Sequence, residues 1–459
     1  MRRLRLAFFS PFNPEKSGVS DYSEELLPYL AEKADVDLVA GPYKLSNPAI
    51  TGRFRVLSAA EYLERANDYD MPVYQIANSV HHHGYMIPCM LARPGVSVFH
   101  DYYLHFLMLG LTLMRGDFAG LNRILQATYG ADGRRLAYGL LLSIEDPYRV
   151  SLVQPLIAAS RAIITHSECA RNLVLGERPD KPVRVIPMGM PENEFVDQRD
   201  AMRVKHGFGP DEIVAASVTT LSHTKRLEIV LTAMALLKDS HPNLRLVVLG
   251  GGRPGDPAHK LIQRHKLESR IRFTGWLSAT DYAQVLAAAD LVIDMRYPSG
   301  AETSASLFRA IAAGRPAIVS NQGSFVELPG DVAMKVTVGP GEEHQLAETL
   351  SKMISDRPRL TSMSDAALAY ATSTMRLDSA ADAYVETVRE AIARPLSSSA
   401  EPWNFAGSPS AIKRTAWASV YKLSRAVFLY RKYGWTDTVQ RLRGEAHVRP
   451  AGLAKGAVR

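Results

Sequence analysis

Short, uninterrupted apolar runs punctuate this chain, separated by stretches whose apolar residues recur at helical spacing. Runs at 4–9, 36–40, 73–76, 96–99, 162–165 and 183–186 predict six strands in the first half. Runs at 213–218, 244–249, 271–273, 291–293, 317–319 and 332–336 predict six more in the second. Continuous rather than alternating apolar character is that of a parallel strand buried on both faces. Strand–helix alternation of this kind predicts an α/β fold of two doubly wound, Rossmann-like sheets with right-handed crossovers. The two halves meet at 187–193, where Pro187-Met188-Gly189-Met190-Pro191 reads as an interdomain connection. Residues 1–190 are thus expected to form one domain and 191–375 the other. Residues from about 101 to 150 are long, helical and partly apolar, an insertion rather than a sheet-forming unit. Pro395-Leu396-Ser397-Ser398-Ser399-Ala400 opens a linker, and 395–459 forms an extension with one amphipathic helix at about 411–432.

Ligands of doubly wound sheets bind beyond the carboxyl ends of the strands, in the cleft where two such domains face each other. The first such loop, after 4–9, carries Gly18 just before a helix start, where backbone N–H groups can approach an anion, with Asp21 and Tyr22 following. After 213–218 comes Thr219-Thr220-Leu221-Ser222-His223-Thr224-Lys225-Arg226, whose paired cations could hold a diphosphate; a solvated helix start is the plainer alternative. After 291–293 comes Tyr297-Pro298-Ser299-Gly300-Ala301-Glu302-Thr303-Ser304, an anion cradle in which Glu302 is out of place unless it binds sugar hydroxyls. Gly250-Gly251-Gly252-Arg253-Pro254-Gly255 has the literal dinucleotide spacing. Pro254 disturbs the helix start, however, and no acidic residue stands where a ribose partner is needed, near Ser269-Arg270-Ile271-Arg272. Gly250 and Gly252 therefore read as a close-approach turn at a sugar-nucleotide site. His166-Ser167-Glu168 reads first as a helix cap.

Histidines gather at His81-His82-His83 and around His100-Asp101. Imidazole and carboxylate suit zinc, but neighbouring residues rarely converge on one ion. His100 and Asp101 at a strand end fit a polar substrate better, and no metal is expected.

Composition narrows the class. Hydrophobic residues make up 46% and charged residues 22% of the 459, which excludes global disorder. The two cysteines, Cys89 and Cys169, exclude a disulfide framework and a cysteine-based zinc site, and favour a reducing compartment. The apolar run at 106–114 is well short of the roughly 20 residues that span a bilayer. The basic start leads into an apolar run that Ser10-Pro11 ends too soon for a signal peptide. Residues 401–459 hold eleven Lys/Arg and three Asp/Glu, a net of +8 against +7 for the whole chain, which leaves −1 for the preceding 400. The basic charge therefore lies in the tail. In the helix at 411–432, Ile412, Trp417, Val420, Tyr421, Val427, Phe428 and Tyr430 alternate with Lys413, Arg414, Lys422, Arg425, Arg431 and Lys432. An anionic membrane surface or the body of the protein could cover its apolar side; nucleic acid is not expected.

Taken in order along about residues 3–393, these motifs resemble the retaining glycosyltransferases of family 4 (glycosyl transferases group 1), which have the GT-B fold. The resemblance rests on Gly18, on His100 in Val98-Phe99-His100-Asp101, on the linker Val185-Ile186-Pro187-Met188-Gly189, and on Lys225. It rests also on Glu302-Thr303-Ser304, on Arg309-Ala310-Ile311-Ala312-Ala313-Gly314-Arg315-Pro316, and on Pro329 after Glu327. It implies sugar transfer, with retention, from a nucleotide-sugar co-substrate to a glycan or lipid-linked acceptor, in surface polysaccharide or glycolipid synthesis. It implies no metal or other cofactor, and a helix at 376–394 that returns toward the first domain. The site it implies has His100, Glu302 and Lys225 as catalytic residues. Gly18, Thr220, Lys225, Arg226, Gly250, Gly252, Glu302, Thr303 and Ser304 would bind the donor. Asp21, Tyr22 and Asp101 would lie on the acceptor side. The sequence departs from the family at two points. Thr220 replaces the usual Arg before the Lys. The second Glu, which in the family holds the ribose, is missing where Arg309 stands; Arg226 is then expected to take part of the diphosphate charge. A nucleotide-sugar epimerase of the same fold and a non-catalytic sugar-binding scaffold remain alternatives. The expected location is cytoplasmic, peripheral on the inner face of the membrane.

Overall fold

In a computed structural model the chain divides into two compact units, one formed by Met1–His166, Ala170–Ile186 and Ala381–Arg459, the other by Ser167–Cys169 and Pro187–Ala380. The structure describes residues 2–218, 223–251, 257–394 and 411–446.

The first unit is built on seven parallel strands: β1 (Arg5–Phe9), β2 (Asp35–Val39), β3 (Val56–Leu57), β4 (Met71–Ile76), β5 (Gly95–Phe99), β6 (Ser160–Thr165) and β7 (Val183–Val185), in the order β3-β2-β1-β4-β5-β6-β7. Every residue of β4 and β5 is buried, as their apolar runs require once helices cover both faces. Gly95 starts β5 because a Cβ there would lie 2.2 Å from the Pro72 carbonyl oxygen of β4. Residues 101–150 form helices, chiefly His105–Leu111, Phe118–Tyr129 and Ala131–Leu141.

The second unit has six parallel strands: β8 (Ile213–Ser217), β9 (Leu244–Val248), β10 (Ile271–Phe273), β11 (Leu291–Asp294), β12 (Ala317–Ser320) and β13 (Ala333–Val336). Their order is β10-β9-β8-β11-β12-β13. One core of Leu, Ile, Val and Met from β8, β9, β11 and the helices Leu227–Leu236 and Glu342–Ser355 holds it together. Buried Arg203 ties its start down, donating to Asp290 at 3.3 Å and to the carbonyls of Gly209 and Glu212, both at 2.7 Å.

The helix Leu377–Ala393 brings the chain back to the first unit. There Asp382 pairs with Lys33 at 2.6 Å, Glu386 with Arg184 at 2.9 Å, and Arg161 donates to the carbonyls of Ala391 at 2.9 Å and Arg394 at 2.7 Å. The tail helix Ala411–Ala446 belongs to the same unit. Trp417 lies on Phe118 with ring centroids 4.8 Å apart, and the Ser424 hydroxyl donates to the Leu141 carbonyl at 2.6 Å. Gly116, with φ of 75°, lets the helix backbone in: a Cβ there would stand 1.9 Å from the Arg414 carbonyl oxygen.

These contacts cover only part of the apolar side of the tail helix. Trp417, Tyr421 and Phe428 are partly buried, whereas Ala416, Val420, Leu423, Val427 and Tyr430 are exposed. Spaced four, three, four and three residues apart, these five line one side of the helix.

Candidate active site

Three loops leave the carboxyl edge of the second sheet side by side. The first follows β8 and ends in the turn His223–Lys225 before the helix Leu227–Leu236. The second follows β11 and leads into the helix Ala305–Ala312, which Ser304 caps by accepting from the Leu307 N–H at 3.3 Å. The third follows β12 and carries Gln322 and Ser324.

A buried ion network joins them. Asp294, at the end of β11, accepts from Arg296 Nε at 2.9 Å and Nη2 at 3.1 Å, and from the Ser304 hydroxyl at 2.7 Å. Burial alone would raise the Asp294 pKa; Arg296 and Lys225 outweigh it and hold the carboxyl below its usual range. Lys225 therefore stands where its charge is felt at the heart of the site. Arg296 also donates from Nη1 to Glu302 Oε1 at 3.0 Å. Burial would lower its pKa, and Asp294 with Glu302 raises it instead. Glu302 Oε2 accepts from the Ser299 hydroxyl at 3.1 Å and the Gly300 N–H at 2.5 Å. A carboxylate has about four acceptor positions; among the described residues three are used, which leaves one on Oε1 for a ligand hydroxyl. Thr303 is half-buried beside it.

Arg226 is not in this network. Its guanidinium grips Glu342, with Nε at 3.1 Å from Oε1 and Nη2 closing on Oε2, and the Glu342 side chain is fully buried. Sharing of a diphosphate charge by Arg226 is corrected accordingly: its charge is neutralised by a structural partner. Gly250 turns the chain after β9, its N–H 3.3 Å from the Thr274 hydroxyl. Thr220 and Gly252 lie outside the described residues.

In the first unit, His100 follows β5, is 6% exposed, and donates from Nε2 to Gln75 Oε1 at 2.7 Å. Burial, then His166 and His83, push its pKa well down, so the imidazole is neutral. His166 follows β6 with its ring 4.9 Å from that of His100. Its Nδ1 donates to the Ile186 carbonyl at 2.9 Å, and its Nε2 has no hydrogen-bond partner among the described residues. Burial lowers its pKa to about 4. Tyr22, expected on the acceptor side, is fully buried against both imidazoles, its hydroxyl 3.2 Å from that of Tyr384. It is a core residue. Asp101 accepts from the Asn78 N–H at 2.8 Å, and Asn78 Oδ1 accepts from Phe106 N–H at 2.7 Å at the start of His105–Leu111. Asp21 accepts from Asn13 Nδ2 at 3.3 Å in the first turn of Gly18–Lys33. Gly18 begins that helix, capped by Ser17.

Sequence reasoning missed Arg296 and read the His166-Ser167-Glu168 stretch first as a helix cap, with a functional role second. The available signal was position: each lies one or two residues beyond a strand end, where the sheet presents side chains to ligands.

The two sheets, with their strand orders and crossovers, define a GT-B fold. The sucrose-phosphate synthase structure from Thermosynechococcus elongatus has it, at TM-score 0.60, 16% identity and coverage of 84% of this chain and 99% of that one. So does the Anabaena Alr3699/HepE structure in complex with UDP and glucose, at TM-score 0.58, 18% identity and coverage of 84% and 100%. Residues 198–369 match the family "Glycosyl transferases group 1". Mannosylfructose-phosphate synthase of Agrobacterium fabrum is 26% identical over 183 residues, 38% of this chain and 40% of that protein. D-inositol 3-phosphate glycosyltransferase of Nocardia farcinica is 28% identical over 230 residues, 48% and 50% respectively. The chain spans about half the length of the curated relatives it matches.

Proposed function

We propose that this protein is a metal-independent retaining glycosyltransferase of family 4, moving a sugar from a nucleotide sugar to a glycan or lipid-linked acceptor in surface polysaccharide or glycolipid synthesis. The observation that carries the reading is the meeting of Lys225 with the Glu302–Ser304 loop around Asp294 and Arg296, inside the segment matching the glycosyl transferase family. Departure of a nucleoside diphosphate builds negative charge. Lys225 and the N–H groups at Thr303 and Ser304, which open a helix, are suited to receive it. The acceptor position that the described residues leave on Glu302 suits a donor-sugar hydroxyl; within the first unit, the neutral imidazoles of His100 and His166 suit polar groups of a substrate.

Retention needs either a carboxylate nucleophile or attack from the leaving-group side. Asp294 and Glu302 are both held in hydrogen bonds by Arg296 and make poor nucleophiles. The reading is therefore front-side attack, the departing phosphate oxygen taking the acceptor's proton. Ribose is held without a carboxylate at the place of Arg309.

Among the described residues no helix is long and apolar enough to cross a membrane. The chain meets an anionic membrane, on its cytoplasmic face, through the exposed side of the tail helix. Val420 is 39% exposed, Leu423 68%, Val427 43% and Tyr430 54%, with Arg414, Lys422 and Arg431 exposed around them. Apolar side chains rimmed by cations are what an interfacial helix presents to anionic lipid.

The test is incubation with UDP-, GDP- and ADP-sugars, uridine donors first because the HepE complex contains UDP and glucose. Release of sugar without acceptor, and transfer with retained anomeric configuration when a glycan or glycolipid is added, is the expected outcome. Interconversion of nucleotide sugars without transfer would mark an epimerase. Binding without turnover would mark a scaffold.

A further inference from the structure

β1 and β4 are neighbours in the first sheet, and the loops after them meet at its carboxyl edge. Glu15 stands in the first loop; His81 and His82 stand in the single-turn helix Val80–His83 that follows the second. Nε2 of His81 is 3.0 Å, and Nε2 of His82 3.2 Å, from the same atom, Oε2 of Glu15. All three ligating atoms lie within 4.8 Å of one another. Ligand atoms bonded at roughly 2.0–2.1 Å around a tetrahedral ion stand roughly 3.3 Å apart along each edge, close to both observed spacings.

We propose that Glu15, His81 and His82 bind a divalent transition-metal ion of the zinc type, with water in a fourth, open position. Two imidazoles and a carboxylate favour zinc or cobalt over magnesium or calcium, which take oxygen ligands. Access is present: the side chains are 43%, 21% and 19% exposed for His81, His82 and Glu15. The helix presenting the pair is anchored from below. His83 is buried and its Nδ1 donates to the Gln75 carbonyl at 2.9 Å, while Ser79 caps the helix.

His81 and His82 converge on one carboxylate although they are neighbours in the chain. On a helix of one turn, long side chains from neighbouring positions both reach a carboxylate supplied by another loop. Bound metal would clamp the loop that leads into the helix Gly18–Lys33. This site belongs to the first unit and does not depend on the donor chemistry proposed for the second.

The experiment is titration of chelator-stripped full-length protein with cobalt(II), then zinc. We expect one equivalent of cobalt to give the visible absorption of a four-coordinate ion, one equivalent of zinc to erase it, and zinc to raise the thermal midpoint. Glu15→Gln, and His81→Ala with His82→Ala, should each weaken binding at least tenfold. His344→Ala, at an exposed histidine elsewhere, should change nothing. Near-ultraviolet circular dichroism checks folding. If the histidine pair variant is unfolded, Glu15→Gln decides alone, because glutamine keeps the hydrogen bonds of the present arrangement. No cobalt spectrum, or equal affinity in Glu15→Gln and wild type, overturns the proposal and leaves two imidazoles hydrogen-bonded to one carboxylate.

Discussion

Lys225 and Arg226 are adjacent, both cationic, and do different work. Lys225 is felt by buried Asp294 at the site; Arg226 is folded against Glu342. Lys225→Ala should lower turnover about a hundredfold, or about 3 kcal/mol of transition-state stabilisation, with the thermal midpoint nearly unchanged. Arg226→Ala should do the reverse. It leaves a buried carboxylate unpaired and should cost about 3 kcal/mol of stability, read by denaturant titration, while nucleotide-diphosphate affinity of the protein that remains folded is kept. Equal loss of affinity in both variants would put Arg226 back in the site. The pair also marks a limit of sequence reading. Two cations after a strand announce anion binding, but nothing near position 226 reveals that its partner is Glu342, 116 residues on. Arg296 escaped for the same reason. Its neighbour Glu302 was visible alone, and only folding joins it to Asp294 and Arg296 in one network.

At the scale of elements, the apolar runs located twelve of the thirteen strands among the described residues, most plainly those covered on both faces, which have no polar side to confuse the pattern. The exception is β3, two residues long at the edge of its sheet, with Val56 38% exposed. A two-residue run has no readable period. The tail helix shows the converse. Its amphipathic character was legible, but which residues face inward was not, since Trp417 and Tyr421 serve a membrane and a core equally well by composition. Gly116 offers a way to detach that helix. Gly116→Ala places a methyl group against the Arg414 carbonyl at a positive φ. The expected result is faster hydrogen exchange across residues 411–430, with the strands still protected. Unchanged exchange there would show that the contact gives way without undocking.

At the scale of the molecule, buried neutral histidines make the first unit sensitive to acid. Burial lowers His105 to about 3 and His166 to about 4. Unfolded histidine titrates near 6.5, so below that pH the unfolded chain binds protons that the folded chain refuses, and stability falls with pH. From 6.5 to 5 these two together should remove about 3 kcal/mol. Denaturant titrations at several pH values measure that slope, to which buried His83 and His100 also contribute, and His105→Phe should reduce it. A slope absent between pH 6.5 and 5 would mean that these imidazoles protonate in place. The tail supplies a second test at this scale. Leu423→Asp with Val427→Asp alters exposed positions and should leave the fold intact while abolishing sedimentation with anionic liposomes at low salt. Wild-type protein that ignores such liposomes would refute the membrane reading.

The return of the chain through Leu377–Ala393 has a consequence for the order of synthesis. The first unit is discontinuous: Tyr22, Arg161 and Arg184 wait for Tyr384, Ala391 and Glu386. The second unit, Pro187–Ala380, is contiguous apart from three residues. At about 5–20 residues per second, a ribosome keeps the first strands waiting roughly 10–40 s for their closing helix. During that time the second unit can fold completely as it emerges. Residues 187–380 made alone should therefore give a cooperative unfolding transition, and residues 1–186 alone should not until a peptide spanning 377–394 is added.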